Sequence, residues 1–146
     1  MTVTLASLTR LTGLTVLDHL EQSVRIPVVG GLQAQGDLIV VPFDLLARDV
    51  LIRPAALWQP VRAEGVVLVR GADGGNPHTL VADPGTCRWT TSVADFTRLT
   101  VGVFEAREVV YLLHPEHGAT GCAPGRYVVR RQREFEGAWG NRLVAD

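Results

Sequence analysis

The strongest constraint on the fold of this chain is a succession of short apolar segments separated by residues typical of turns. Valine, isoleucine, threonine and aromatic residues dominate these segments, as they do in β-strands. Glycine, proline, aspartate and asparagine, which favour turns, stand between them. The predicted strands are Val24–Val29, Asp37–Val41, Val50–Ile52, Gln59–Val61, Val66–Arg70, Thr79–Ala82, Arg88–Thr91, Arg98–Val103, Val109–His114, Arg126–Gln132 and Arg142–Ala145. Many short strands with frequent turns predict an all-β domain, either a β-sandwich or a compact β-barrel.

The N-terminal segment, residues 1–24, has a different pattern. Leucines recur in it at helical spacing, at positions 14, 17 and 20, which predicts a short helix near residues 14–23. Its apolar stripe either docks onto the domain or forms a dimer arm. A second short helix is an alternative over Phe43–Val50. Since 146 residues suit one domain, we predict an N-terminal arm followed by one β domain at residues 25–146.

The charge balance bears on the kind of partner. The chain carries 14 arginines and no lysine against 15 acidic residues, so its formal net charge is −1. Nucleic-acid binders need a surplus of cations to displace counterions, so this balance argues against nucleic acid. A net charge near zero removes repulsion between copies, which favours self-association or a protein partner.

No apolar run approaches the ~20 residues that span a bilayer, and no signal peptide is recognisable. We therefore expect a cytoplasmic protein with no membrane partner.

Three histidines stand at the ends of predicted strands. His114 and His117 flank one turn directly after a strand, and His78 directly precedes another strand. Neutral imidazole is the commonest side-chain ligand of transition metals, and open sites combine two or three histidines with a carboxylate. If the two strands are neighbours, the three histidines predict a site for a divalent, zinc-like transition metal, with Glu116 or Cys122 as a fourth ligand or base. The alternative is that His114 and His117 cap turns by bonding backbone groups.

The common catalytic templates are missing from the sequence. It holds no G-x-S-x-G elbow, no Walker A loop and no G-x-G-x-x-G after a strand. The remaining enzymatic alternative is a nucleophile at Cys122 with His117 or His114 as its base, because Gly121–Pro124 has the composition of a short exposed loop. Such a thiol needs a cationic neighbour for its activation. Whether the protein is an enzyme is open at this point.

The predicted strand Arg126–Gln132 is rich in arginine. Arg126, Arg130, Arg131 and Arg133 lie in it or directly after it. Arginine suits bidentate contacts with oxyanions, so these four side chains are a candidate site for a phosphate or a nucleotide. The alternative is an edge strand that its charge protects against aggregation.

Six short motifs follow one another along residues 35–146. They are Gln35–Pro42, Gly74–His78, His114–His117, Pro124–Tyr127, Arg131–Phe135 and Leu143–Asp146. In this order the chain resembles a group of small bacterial proteins of unknown function. The resemblance singles out the same three histidines, although Asn76 replaces a histidine of the pattern and Phe135 replaces a tyrosine. The layout of histidines on strands is also similar to that of cupins, which bind a metal inside a small β-barrel.

Two functions follow from these observations. The first is a non-catalytic binding or assembly module, which the near-neutral charge, the 47% hydrophobic content and the missing catalytic templates favour. The second is a metal-binding protein, or a metal-dependent enzyme, with its site at His78, His114 and His117. A metal-bound water there would support hydrolytic or oxidative chemistry.

Overall fold

The computed structural model describes residues 3–14, 16, 25–70, 76–135 and 141–143. Helix α1 covers Leu5–Thr12, and a 3₁₀ helix covers Phe43–Leu46. The strands β1 to β15 are, in chain order, Val28–Val29, Gln33–Gln35, Leu38–Pro42, Val50–Ile52, Gln59–Pro60, Val66–Arg70, Pro77–Val81, Cys87–Thr90, Val93–Asp95, Thr100–Ala106, Val110–His114, Gly118–Cys122, Gly125–Arg131, Arg133–Phe135 and Asn141–Leu143.

Two large sheets form the body of the domain. One has five strands in the order β1-β12-β11-β7-β6, and the other has six in the order β2-β3-β13-β10-β8-β5. Strand β1 runs parallel to β12, and the other pairs in both sheets are antiparallel. The pairs β4–β9 and β14–β15 form two small ribbons. The large sheets pack face to face as a sandwich, and the described strands do not close into a barrel. The predicted all-β class is therefore confirmed in its sandwich form.

Alternating side chains from the two sheets fill the space between them. Leu38, Phe104 and Tyr127 of the six-stranded sheet meet Leu80 and Leu112 of the five-stranded sheet, and all five are buried. The rings of Phe104 and Tyr127 stack with their centroids 5.1 Å apart. Because side chains along a strand point alternately to its two faces, every second residue of a strand enters this core. Each such side chain stabilises the fold by about 1.5–3 kcal/mol.

Helix α1 covers the outer face of the five-stranded sheet. Leu5 and Leu8 pack there against Val81 and Leu113. The helix begins at a capping box, in which Thr4 and Ser7 bond reciprocally, and it ends at Gly13 in the left-handed conformation. This helix lies before the predicted one: Leu14 and Val16 are not helical, and residues 17–24 of the predicted helix lie outside the described part. The capping box is the sequence signal that identifies the actual start.

The outer face of the six-stranded sheet is covered by the ribbon β4–β9 and the 3₁₀ helix. Val103 and Val128 of the sheet pack with Val50 of the ribbon and with Phe43. The alternative of a second helix over Phe43–Val50 is therefore only partly right, because the chain makes one 3₁₀ turn and then enters β4.

The observed strands overlap every predicted strand segment, while strands β2, β9, β12 and β14 were not predicted. Strand β12 is the clearest omission, because its sequence Gly-Ala-Thr-Gly-Cys lacks the branched and aromatic residues that mark strands. Among the helices that the structure describes, none has the length and the apolar character needed to cross a membrane.

Candidate functional site

The sandwich brings the three predicted histidines together at one of its ends. Strands β7 and β11 are antiparallel neighbours, with Leu112 opposite Leu80 and Leu113 opposite Thr79. Because the register continues by one residue, the beginning of β7 and the end of β11 place His78 beside His114. Their ring centroids are 4.4 Å apart, and the centroids of His114 and His117 are 4.5 Å apart.

His78 lies inside β7, rather than before a strand, and it is fully buried. Its Nδ1 atom lies 2.9 Å from Oε1 of Gln35, and its Nε2 atom lies 2.8 Å from Oδ1 of Asp37. The Gln35 amide group donates its own N–H to the carbonyl oxygen of Leu112 at 2.8 Å. This contact fixes the amide with its oxygen toward His78, so Nδ1 donates a proton to it.

These bonds connect the two sheets. Gln35 ends β2, and Asp37 lies in the turn that joins β2 to β3 of the six-stranded sheet, whereas His78 and Leu112 belong to the five-stranded sheet. All the polar groups involved are buried, and a buried polar group without a hydrogen-bond partner costs about 1–3 kcal/mol. The arrangement is therefore a polar crosslink inside an otherwise apolar interface.

Gln132 holds the turn that carries Asp37. Its side-chain amide donates to the carbonyl oxygen of Gly36 at 2.8 Å and to that of Leu38 at 3.3 Å. Its backbone N–H donates to the Asp37 carbonyl oxygen at 2.8 Å. Sequence reasoning did not assign Gln35, Asp37 or Gln132 to the site, although all three lie in motifs of the resemblance.

His114 organises the turn that follows it. Its Nδ1 atom accepts hydrogen bonds from the backbone N–H groups of Glu116, at 3.0 Å, and His117, at 3.2 Å. A neutral ring that accepts at Nδ1 carries its proton at Nε2. The Asn76 amide donates to Oε1 of Glu116 at 2.7 Å, which ties the turn to the start of β7. His114 is 1% exposed, whereas Glu116 and His117 are exposed, so the cluster extends from the core to the surface.

The turn-capping interpretation of His114 is therefore what the geometry shows. Within the described residues, no group of three histidine, cysteine or acidic side chains is placed to hold a metal ion. The hydrogen bonds explain this, because a metal needs a lone pair on a ring nitrogen. Both nitrogens of His78 and Nδ1 of His114 are engaged by protein groups.

Cys122 is not in an exposed loop. It is the last residue of β12, it is fully buried, and it accepts a hydrogen bond from the Gln33 amide at 3.2 Å. Burial raises the pKa of the Cys122 thiol to about 12, although the Gln33 contact acts in the opposite direction. Burial likewise raises the pKa of Cys87 to about 12. The proposed Cys122 nucleophile is therefore wrong, because a buried thiol with such a pKa supplies almost no thiolate at neutral pH.

The arginine-rich strand is central rather than at an edge. Strand β13 lies between β3 and β10, so the edge-strand interpretation is wrong. Arg126 forms an ion pair with Glu105, and Arg130 forms one with Asp95 at 3.1 Å. Arg131 is partly exposed, and the Arg133 side chain lies outside the described part. Anion binding by these four residues stays a prediction, and two of them already pair with carboxylates.

The turn between β9 and β10 is a second candidate site, which sequence reasoning missed. Phe96 is 98% exposed in this turn. The Asp95 carboxylate accepts hydrogen bonds from the backbone N–H and the hydroxyl of both Thr97 and Thr100, at 2.5–3.1 Å. Arg98 adopts a φ of +59°, a conformation that is uncommon for a residue with a side chain. A hydrogen-bonded turn with one residue at positive φ thus presents a large aromatic side chain to solvent.

The environment of Asp95 favours its ionised form. Burial by itself would raise the pKa of this carboxyl, but hydrogen bonds from Thr100 and Thr97, together with the charge of Arg130, outweigh it. The net result is a pKa below the ordinary value.

Comparison with known proteins identifies the family of the chain. A family model described as "Domain of unknown function (DUF8820)" matches residues 34–132, and the chain belongs to this family. The matched region begins just before Gln35 and ends at Gln132, so it includes the whole polar cluster. No curated protein and no solved structure matches the chain.

We predict that Gln35→Leu destabilises the fold by about 2–4 kcal/mol, because it leaves two buried groups, Nδ1 of His78 and the Leu112 carbonyl, without their partner. Urea unfolding followed by fluorescence measures the change. Gln59→Leu, at an exposed position of β5, is the matched control and should stay within about 0.5 kcal/mol of the wild type. Equal stability of the two variants would contradict the crosslink.

We also predict that Asp95→Asn destabilises the domain by about 1–3 kcal/mol at pH 7 and by progressively less as the pH falls. The pKa of Asp95 is lower in the folded than in the unfolded state. Its stabilising effect is therefore complete above the unfolded value and disappears as the pH falls through the folded value. Denaturant unfolding between neutral and acidic pH measures the difference, and Asp49→Asn, at an exposed position, is the control. A difference that stays constant with pH would contradict this assignment.

Proposed function

We propose that this domain is a non-catalytic assembly module whose copies associate through the turn at residues 95–100. The observation that carries the proposal is Phe96, which is 98% exposed. Large aromatic side chains dominate the binding energy of protein interfaces when a partner buries them. Leu51, which is 64% exposed, lies in β4 opposite Ala94, two residues before Phe96.

The construction of the turn supports a role in binding. The Asp95 carboxylate accepts hydrogen bonds from the backbone N–H groups of Thr97 and Thr100, which fixes the backbone that follows Phe96. Arg130 pairs with the same carboxylate, and the backbone N–H of Arg131 bonds to the Leu99 carbonyl. A turn whose backbone is held in this way loses little backbone freedom when it binds, and such preorganisation raises affinity.

The polar cluster supports the non-catalytic part of the proposal. His78 and His114 are 0% and 1% exposed, and their described hydrogen bonds join them to protein groups. A substrate would have to displace these bonds to reach either ring. The net charge of −1 also leaves little electrostatic repulsion between two copies.

Light scattering coupled to size-exclusion chromatography tests the proposal. We expect the average mass of the wild-type protein to rise with concentration up to the order of 100 µM, a range that reveals an interface with a micromolar Kd. Phe96→Ser removes an exposed aromatic side chain, so thermal stability should not change. The average mass of this variant should begin to rise only at a protein concentration at least tenfold higher than that of the wild type. Leu32→Ser, which removes another exposed apolar side chain, is the matched control. A wild-type protein that stays monomeric throughout would overturn the proposal.

Metal binding is the second candidate function. The observation that favours it is the series of three imidazoles, His78, His114 and His117, with centroid separations of 4.4 and 4.5 Å. Glu116, in the turn between His114 and His117, accepts a hydrogen bond from Asn76. Binding of a zinc-like ion would require the described hydrogen bonds of the rings to rearrange, so we rank it below assembly. The ligands of the ion would then come from the histidine motifs that the chain shares with the group of small bacterial proteins it resembles.

Calorimetric titration with zinc distinguishes this second candidate. If it is right, one equivalent binds per chain, and the double variant His114→Ala/His117→Ala loses that binding. His19→Ala, which changes the one histidine outside the proposed ligand set, is the control and should bind as the wild type does. No heat of binding in the wild-type protein would eliminate the candidate.

A further inference from the structure

A groove with a volume of about 250 Å³ lies between helix α1 and the five-stranded sheet. Its described lining is mainly apolar and includes Leu8 and Leu11 of the helix and Val81 and Tyr111 of the sheet. Leu11 is 72% exposed, so its side chain is accessible at the groove. A surface of this kind suits an apolar side chain supplied from outside.

Carboxylates complete the lining of the groove. Asp83 follows the end of β7 and Glu108 follows the end of β10, and both are exposed. None of the described residues that line the groove is cationic. The site therefore favours an apolar group that has a positive charge close to it.

The groove and the Phe96 turn lie at opposite ends of the sandwich. Phe96 precedes the first residue of β10, whereas Glu108 follows its last residue. Strand β10 has seven residues, which span roughly 23 Å at the rise of a β-strand. A molecule therefore cannot place its own Phe96 in its own groove, but a neighbouring molecule can.

We propose that the groove receives Phe96 from a second copy of this chain, so that copies assemble head to tail. This inference rests on the proposed assembly function and specifies the surface that Phe96 contacts. Arg98 is exposed and lies within ~7 Å of Phe96 along the backbone. It places a positive charge next to the inserted ring, where Asp83 and Glu108 provide the opposite charge.

The size of the groove favours this occupant over a small molecule. Ligand sites typically enclose about 300–1,000 Å³, and this groove is smaller and open on one side. One aromatic side chain buries about 150–250 Å² of surface when it binds. A shallow groove is enough to cover a side chain of this size.

Contacts between unlike surfaces have a consequence for assembly. Each copy would offer one Phe96 and one groove, so every bound copy leaves one of each unoccupied. Such interfaces produce rings when the rotation closes and open filaments when it does not. A contact between two identical Phe96 turns would instead produce a dimer and no larger assembly.

The experiment combines one variant on each surface. Phe96→Ser removes the inserted side chain and keeps the groove. Leu11→Arg keeps Phe96 but puts a cation into the groove against Arg98, at an exposed helical position where arginine is tolerated. Glu108→Arg is a second groove variant that leaves the helix unchanged, and circular dichroism melting checks that each variant is folded.

Light scattering on the separate and mixed variants gives the decisive result. We expect each variant alone to be monomeric where the wild type assembles, and the mixture of Phe96→Ser with either groove variant to form one-to-one dimers and nothing larger. If the groove variants assemble as the wild type does, the groove is not the receiving surface, while assembly through Phe96 stands. If the mixture fails to form dimers, head-to-tail pairing is overturned. If the wild type itself is monomeric, the proposed function and this inference both fall.

Discussion

The hydrogen bonds of His78 are the contacts on which the architecture of this domain depends most. They join the two sheets at one end of the sandwich, through Gln35 and Asp37 on one side and His78 on the other. In a low-dielectric interior such bonds are strong when they are complete and costly when one partner is missing. The polar crosslink therefore selects one register of the sheets, whereas apolar packing alone tolerates small displacements.

Further groups extend this crosslink toward the surface of the same end. Gln132 fixes the turn that presents Asp37, and the adjacent Arg131 bonds to Leu99 in the turn that presents Phe96. The end of β13 thus supports both the buried cluster and the exposed aromatic residue. The same end of the sandwich therefore holds both the buried cluster and the exposed Phe96, whereas the groove lies at the opposite end.

Much of the strand structure was predictable because strand residues carry a local signal. Val, Ile and aromatic residues predict strands such as Val66–Arg70 and Val110–His114. The positions of His78, His114 and His117 relative to the predicted strands also indicate a group that can meet, and their rings are adjacent in the structure. Strand β12 was missed because its glycines carry no such signal, and its stability comes from pairing with β11 and β1. The leucine spacing predicts the helix too late in the chain, whereas the capping residues Thr4 and Ser7 mark where it begins.

The sequence alone determined the all-β class, most strand positions, the near-neutral charge and the positions of the three histidines relative to the predicted strands. Each of these depends on composition or on neighbours along the chain. Only the tertiary structure decided that β13 is central, that Cys122 is buried, and that Gln35 and Asp37 face His78. These properties depend on which distant strands pair, and residues 41 to 43 positions apart become neighbours only when the two sheets meet. The same holds for Phe96, whose exposure is decided by what the folded chain leaves uncovered.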